Sequence, residues 1–252
     1  MSFSRISPCP FNVASLLGVA TFALLGLVAA PGQAQTTIST VQQSTGQKSI
    51  SSWGVVNTST YGQTFMAPTD NVLNDVSFYL GGQFKGSGPI NYQAYVYAWD
   101  GQKATGSALF TSAMQSYTPT GSDNASNLVY TSTGNTILTA GQKYVAFLTT
   151  AGLQIGRPQS TCSWAATDSY FGAYSGGDVV FSNNGNDFNQ LTTRSWDFTG
   201  SEWDTKFQMD FSPPSAAPEP PQFAVLGFTA LGALGLILCA RKRKAICPAS
   251  TA

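Results

Sequence analysis

No histidine occurs in the 252 residues of this chain. That excludes Ser-His-Asp and Cys-His triads and every imidazole-ligated metal site. Charge is also scarce: Asp, Glu, Lys and Arg make up 10% of the chain, against about a quarter in an average soluble protein. Disulfides are excluded from the middle of the chain, where Cys162 stands alone; Cys9, Cys239 and Cys247 belong to the ends. A lone cysteine cannot form an internal bridge, and without a histidine to activate it Cys162 reads as a small buried apolar residue. More than a hundred residues can bury a sufficient core without such staples.

The few charges are unevenly placed. Between Gln35 and Ser215 there are 11 acids and 7 bases, so the middle carries about −4. The run Arg241-Lys242-Arg243-Lys244 carries the opposite charge near the C-terminus. An acidic middle does not suit a phosphate backbone, so nucleic acid is not an expected partner.

Both ends are apolar. Arg5 precedes an almost unbroken apolar run from Val13 to Ala30, and Gly32-Gln33-Ala34 then places small residues before Gln35. This is the pattern of a secretory signal, residues 1–34, cleaved after Ala34. It implies export through the Sec translocon and processing by signal peptidase. The other reading of so long a run is an uncleaved anchor helix.

Residues 35–211 read as one domain with apolar positions at period two. In Tyr92–Trp99, Tyr, Ala, Val and Ala alternate with Gln, Tyr, Tyr and Trp. Val76–Leu80, Lys143–Thr149 and Lys206–Phe211 continue the theme, and β-branched and aromatic residues favour such half-buried pleats. Turn residues separate the stretches, as at Asp100-Gly101 and Ala140-Gly141-Gln142. The domain holds no convincing amphipathic helix. The fold class expected is mainly β, a single antiparallel β-sandwich of jelly-roll type, with a barrel as the second choice.

Prolines end the domain, and residues 212–222 read as an extended linker. Phe223–Ala240 follows, 18 residues without a charge. At ~1.5 Å per residue it spans about 27 Å as a helix, close to the thickness of a bilayer's hydrocarbon core. The basic cluster behind it, in a tail of residues 241–252, stays cytoplasmic by the positive-inside rule and leaves the domain periplasmic.

Pro218-Glu219-Pro220, a short spacer, an apolar span and Arg241-Lys242-Arg243-Lys244 together resemble the PEP-CTERM sorting signal. The resemblance covers about a tenth of the chain. It implies recognition by an exosortase-type membrane protease and transfer from the inner membrane to the outer envelope or extracellular matrix. Residues 245–252 extend further past the cluster than such tails usually do. The middle is similar to β-sandwich domains of many PEP-CTERM proteins, through Gly62–Pro68, Tyr95–Trp99, Leu138–Tyr144 and Trp203–Phe207.

For the middle, three kinds of chemistry compete. A sugar-binding module needs flat aromatic faces beside polar hydrogen-bonders. Tyr92, Tyr95, Tyr97, Trp99, Trp164, Tyr170, Trp196 and Trp203 supply the faces. Tyr95, Tyr97 and Trp99 share one strand face, so they form either a polysaccharide platform or half of a core. A carboxylate-pair glycosidase would draw on Asp168, Asp178, Asp187, Asp197, Glu202 and Asp204, acids that in polar turns more often serve as caps. Calcium would find oxygen ligands in Asn183-Asn184-Gly185-Asn186-Asp187, although an Asn/Gly hairpin turn explains the same residues. No other cofactor is expected, and a purely structural matrix protein is the rival to a binder. Enzymatic activity is not expected.

Overall fold

The computed structural model describes residues 35–54, 58–85, 88–119, 127–153, 160–168, 172–198 and 203–215. The signal segment 1–34, Pro218-Glu219-Pro220, the apolar span 223–240 and the basic cluster 241–244 lie outside them, as do Tyr170 and Glu202. Among the described residues no helix is long and apolar enough to cross a membrane.

The alternating stretches are strands, and they pair antiparallel into two sheets. In chain order the strands are β1 (Thr36–Ser39), β2 (Ser49–Trp53), β3 (Thr60–Met66), β4 (Val72–Lys85), β5 (Ile90–Trp99), β6 (Ala104–Thr111) and β7 (Gln115–Tyr117). They continue with β8 (Asn127–Ile137), β9 (Lys143–Thr149), β10 (Thr161–Ala165) and β11 (Val179–Ser182). A four-residue helix α1 (Gln190–Thr193) precedes β12 (Asp197–Phe198) and β13 (Phe207–Ser212). The last strand takes in Ser212, one residue into the expected linker, because Ser212 pairs with Val72 and its hydroxyl donates to Asn74 Oδ1 at 3.0 Å.

The first sheet is built on β4. One edge of β4 pairs with β8. The other edge pairs with β13 along Val72–Phe78 and with β10 along Leu80–Lys85, so these two strands lie end to end. A backbone bond from Lys206 N–H to Ala165 O, 2.8 Å, joins them. β1 and β2 complete the sheet outside β13 and β10. The second sheet runs β12-β11-β3-β9-β5-β6, with β7 continuing the β6 edge of β5. Between β6 and β7 the hydroxyl of Ser112 accepts from Ala94 N–H at 2.9 Å, filling a gap in the ladder. The Tyr117 hydroxyl then reaches across to β4 and donates to Gly81 O at 2.7 Å.

Inward-facing side chains of both sheets meet in one core. Trp164 of β10 packs edge-on to Trp53 at 5.5 Å and against Tyr61 of β3 at 5.6 Å, and Phe65 of β3 meets Phe211 of β13. Trp53, Trp164, Phe65, Phe78, Phe207 and Phe211 are fully buried. Fully burying one such ring contributes about 1.5–3 kcal/mol. Cys162 belongs to this interior, and burial pushes its thiol up, away from the thiolate a nucleophile needs.

One polar network crosses the core. Gln63 on β3 donates to Asp204 Oδ1 at 2.7 Å and accepts from Thr205 N–H at 3.0 Å, while Tyr174 N–H donates to Asp204 Oδ2 at 2.8 Å. Burial raises the Asp204 carboxyl, and the bonds from Tyr174 and Gln63 oppose that rise. The buried amide of Gln63 and carboxylate of Asp204 are thereby satisfied, and the entry to β13 is pinned to β3.

Candidate functional site

The second sheet buries side chains on its outer face as well. On β5, Tyr92, Ala94 and Val96 point into the inter-sheet core, while Tyr95, Tyr97 and Trp99 point outward. On β9, Val145 and Phe147 share that outward direction. Cross-strand register sets Val180, Gly62, Phe147 and Tyr95 in one row and Thr64, Val145 and Tyr97 in the next. Gly62 makes the first row possible: a Cβ there would lie 2.7 Å from Phe147 Cβ and 2.6 Å from Ala146 O.

The segment from Phe188 to Trp196, including α1, lies over these rows. Phe188 packs on Tyr95 at 4.9 Å, and Trp196 packs edge-on to Phe147 at 5.2 Å. Trp196 is tied down twice: its backbone N–H donates to Gln102 O and its indole N–H to Leu191 O, both at 2.8 Å. Tyr97 is therefore buried and Tyr95 mostly covered. Desolvation raises both phenols. Of the three residues that the sequence left as either a platform or half of a core, Tyr95 and Tyr97 pack in the covered cluster and Trp99 lines the open end of the rows.

At that end lies a cleft of about 490 Å³, lined by Thr64, Trp99, Gln102, Lys143, Asp178 and Trp196 among others. Each lining group has a local reason for its position. Trp99 ends β5, and the turn after it is held by Asp100, whose Oδ1 accepts from Gln102 N–H at 2.8 Å and Lys103 N–H at 2.9 Å. The slight burial of Asp100 would raise its carboxyl, but the bonds from Gln102 and Lys103 outweigh it and hold the group below the usual carboxylate range. Trp196 meets Trp99 edge-on at 5.5 Å and 82° and so fixes the angle of the Trp99 ring. Such pairs are worth ~0.5–1.5 kcal/mol beyond burial.

Asp178 is held by backbone. Thr64 N–H donates to Asp178 O at 2.9 Å, and Asp178 N–H donates to Thr64 Oγ1 at 2.8 Å. This approach needs glycine at position 177, where a Cβ would fall 1.8 Å from Thr64 O. The Asp178 carboxylate faces Lys143, the first residue of β9, at 3.6 Å. Ser195 donates to Gln102 Oε1 at 3.1 Å and orients that amide.

The remaining sequence candidates are dispersed. Tyr92 and Trp164 are in the core, and Trp203 packs at its margin. Of the candidate acids among the described residues, Asp178 alone lines the cleft. Asp204 is bonded to Gln63, which strand alternation puts on the opposite face of β3 from Thr64. Asp187 caps a turn, accepting from Asn189 N–H at 3.0 Å and Gln190 Nε2 at 3.1 Å. Asp168 accepts from Thr45 N–H at 2.6 Å, and Asp197 lies on the short strand β12. The oxygens of the Asn183–Asp187 loop are engaged within the fold: Thr58 donates to Asn183, Thr60 to Asn184 and Gly152 N–H to Asn186. Asp187 N–H closes a turn onto Asn184 O at 3.0 Å, with Gly185 at φ +56°. Among the described residues no cluster of three or more Cys, Asp or Glu is placed to hold a metal ion.

Lys143, Gln102, Thr64 and Ser195 were not legible as site residues. They come from separate segments, are common polar types, and carry no spacing signal of their own.

No protein-family model matches the chain, and no curated protein matches it. Two solved chains are similar at 11% identity. One is described as the cysteine protease and lectin-like domains of Cwp84, a surface layer associated protein of Clostridium difficile; it matches at a TM-score of 0.38 over 63% of this chain and 32% of its own. The other, the clostridial cysteine protease Cwp84 after propeptide cleavage, matches at a TM-score of 0.40 over 71% and 40%. The present chain spans less than half the length of either. Scores this low carry no argument about fold or activity.

Proposed function

We propose that this is an exported protein of the cell envelope or extracellular matrix, sorted by a PEP-CTERM tail, whose β-sandwich binds polysaccharide at the cleft beside Trp99. The binding reading rests on one observation: a partly exposed tryptophan, braced by a second, stands next to an ammonium, a carboxylate and an amide in a single cleft. Apolar walls with a few placed polar groups are what small-ligand sites share. The strand order supports the jelly-roll form of the sandwich, with β1-β13-β4-β8 laid against β3-β9-β5-β6.

A binder is favoured over a carboxylate-pair glycosidase because the one acid that lines the cleft among the described residues, Asp178, already faces Lys143. Hydrolysis of that type needs two carboxyl groups across the scissile bond. The sorting reading rests on sequence: Pro218-Glu219-Pro220, the apolar span and Arg241-Lys242-Arg243-Lys244. Export through the Sec translocon, a transient inner-membrane anchor and an exosortase-type protease follow from it.

Two measurements test the two halves. Pull-down on the cell's own extracellular polymer should retain the wild type and release Trp99→Ala; no retention of the wild type on any envelope polysaccharide removes the binding half. Mass spectrometry of the C-terminus in each cell fraction should find surface protein without the basic cluster. Surface protein that always keeps Arg241–Lys244 contradicts processing.

A further inference from the structure

We infer that the cleft takes a neutral pyranose unit, with a vicinal diol on the Lys143–Asp178 pair and an apolar ring face against Trp99. This rests on the polysaccharide-binding reading above and names its ligand class.

The pair is unusual in being loose. Its 3.6 Å separation is well beyond the ~2.7–2.9 Å of a charge-assisted hydrogen bond. Both side chains are 36% exposed, and neither charged group has another hydrogen bond among the described residues. The ammonium therefore keeps donors to give and the carboxylate keeps acceptor sites to fill. An ammonium only donates and an ionised carboxylate only accepts, while a hydroxyl does both. Two hydroxyls on adjacent ring carbons satisfy such a pair at once: one accepts from Lys143 Nζ, and its neighbour donates to Asp178. A sugar is also flat and apolar over part of its ring, which suits the face of Trp99.

Charge selects within the sugars. The pair is neutral as a unit, so it offers an ionic sugar no net attraction. A uronate carboxylate next to Lys143 would stand against Asp178, and an ammonium next to Asp178 would stand against Lys143. Each juxtaposition leaves like charges close together, which is how a site rejects a competitor. The net charge of about −4 on residues 35–215 adds a longer-range repulsion of polyanions. The volume of about 490 Å³ lies within the range of small-molecule sites, and the cleft lies at the end of the outer-face rows where a chain can pass.

The test uses the full chain in detergent and affinity electrophoresis through gels containing dextran, pullulan, β-mannan or polygalacturonate. At least one neutral polymer should retard the protein, polygalacturonate should not, and periodate cleavage of the neutral polymer's diols followed by borohydride reduction should abolish the retardation. Lys143→Met and Asp178→Asn should each weaken it about tenfold, equivalent to ~1.4 kcal/mol, with unchanged melting temperatures. If polygalacturonate is bound, or a neutral polymer is bound equally by both variants yet lost in Trp99→Ala, the diol assignment is overturned while the cleft stands. Retardation by none of the polymers overturns both.

Discussion

Aromatic rings are buried in two places in this domain, by two different means. Between the sheets, Trp53, Trp164, Phe65, Phe78 and Phe211 are sealed on all sides by paired strands. On the outer face of the second sheet, Phe147, Tyr97 and Trp196 are buried by a single covering segment whose only regular structure is α1. The inner core is held by two hydrogen-bonded ladders and cannot open without unfolding. The outer cluster depends on a few anchors, chiefly the bond from Trp196 N–H to Gln102 O. Where the cover ends, an aromatic residue is left facing a cleft. The same residue types thus specify the fold in one place and a candidate site in the other.

The largest effect should follow from opening the inner core. Trp164→Ala removes a ring that touches Trp53, Tyr61 and Phe78 and should cost about 3–5 kcal/mol, read as a fall in the urea midpoint or as loss of folded protein. Trp196→Ala should cost less, on the order of 2 kcal/mol. Its distinguishing outcome is local: amide protection should fall at Tyr97 and Val145 while β4 and β13 keep theirs. Equal loss of protection across both sheets would erase the distinction between the two clusters.

The outer face of the first sheet exposes Leu128 and Tyr130, and it tests the comparison from the other side. There Asp75 and Asp210 are direct cross-strand partners on β4 and β13. Asp210 accepts from Thr37 and Gln208, and Ser132 of β8 stands opposite Asp75 on the other edge. Burial, and then the facing Asp210 carboxylate, push Asp75 up to about 6. The folded state therefore holds that proton more tightly than the unfolded chain. Stability is gained as pH falls through about 6 and is lost as pH rises past it. Asp75→Asn should stabilise the fold at pH 8 by on the order of 1 kcal/mol after solvent screening, read as a higher melting temperature, and the gain should vanish by pH 4. A gain independent of pH would point to packing and not to the carboxylate pair.

Much of the fold was legible because alternation is written into single strands. Tyr92–Trp99 and Phe207–Phe211 show it plainly, and both became strands with the expected faces. Lys143–Thr149 was readable as a strand, but its near-continuous burial was not foreseeable. Both faces of β9 are covered only because a segment more than forty residues later folds over it. β8, rich in Ser, Thr and Asn, carries too few apolar residues to announce itself, since its inward positions include Thr131 and Thr133. Of the site, Trp99, Trp196 and Asp178 were visible as residue types with a chemistry. Their convergence was not, because it depends on the β5–β6 turn and on the course of the chain after α1. Asp75 and Asp210 escaped notice for the same reason, as register alone makes them neighbours.

The smallest stability effect belongs to the residue with the largest proposed functional one. Trp99→Ala should shift stability by about 1 kcal/mol or less, since its ring is partly exposed. Tyr130, 56% exposed on the outer face of the first sheet, is the matching aromatic that does not line this cleft. The most direct measurement is therefore retention of wild type, Trp99→Ala and Tyr130→Ala on the cell's own extracellular polymer. The account predicts that Trp99→Ala is released while Tyr130→Ala is held like the wild type. Equal retention of all three, or equal loss in both variants, would contradict it.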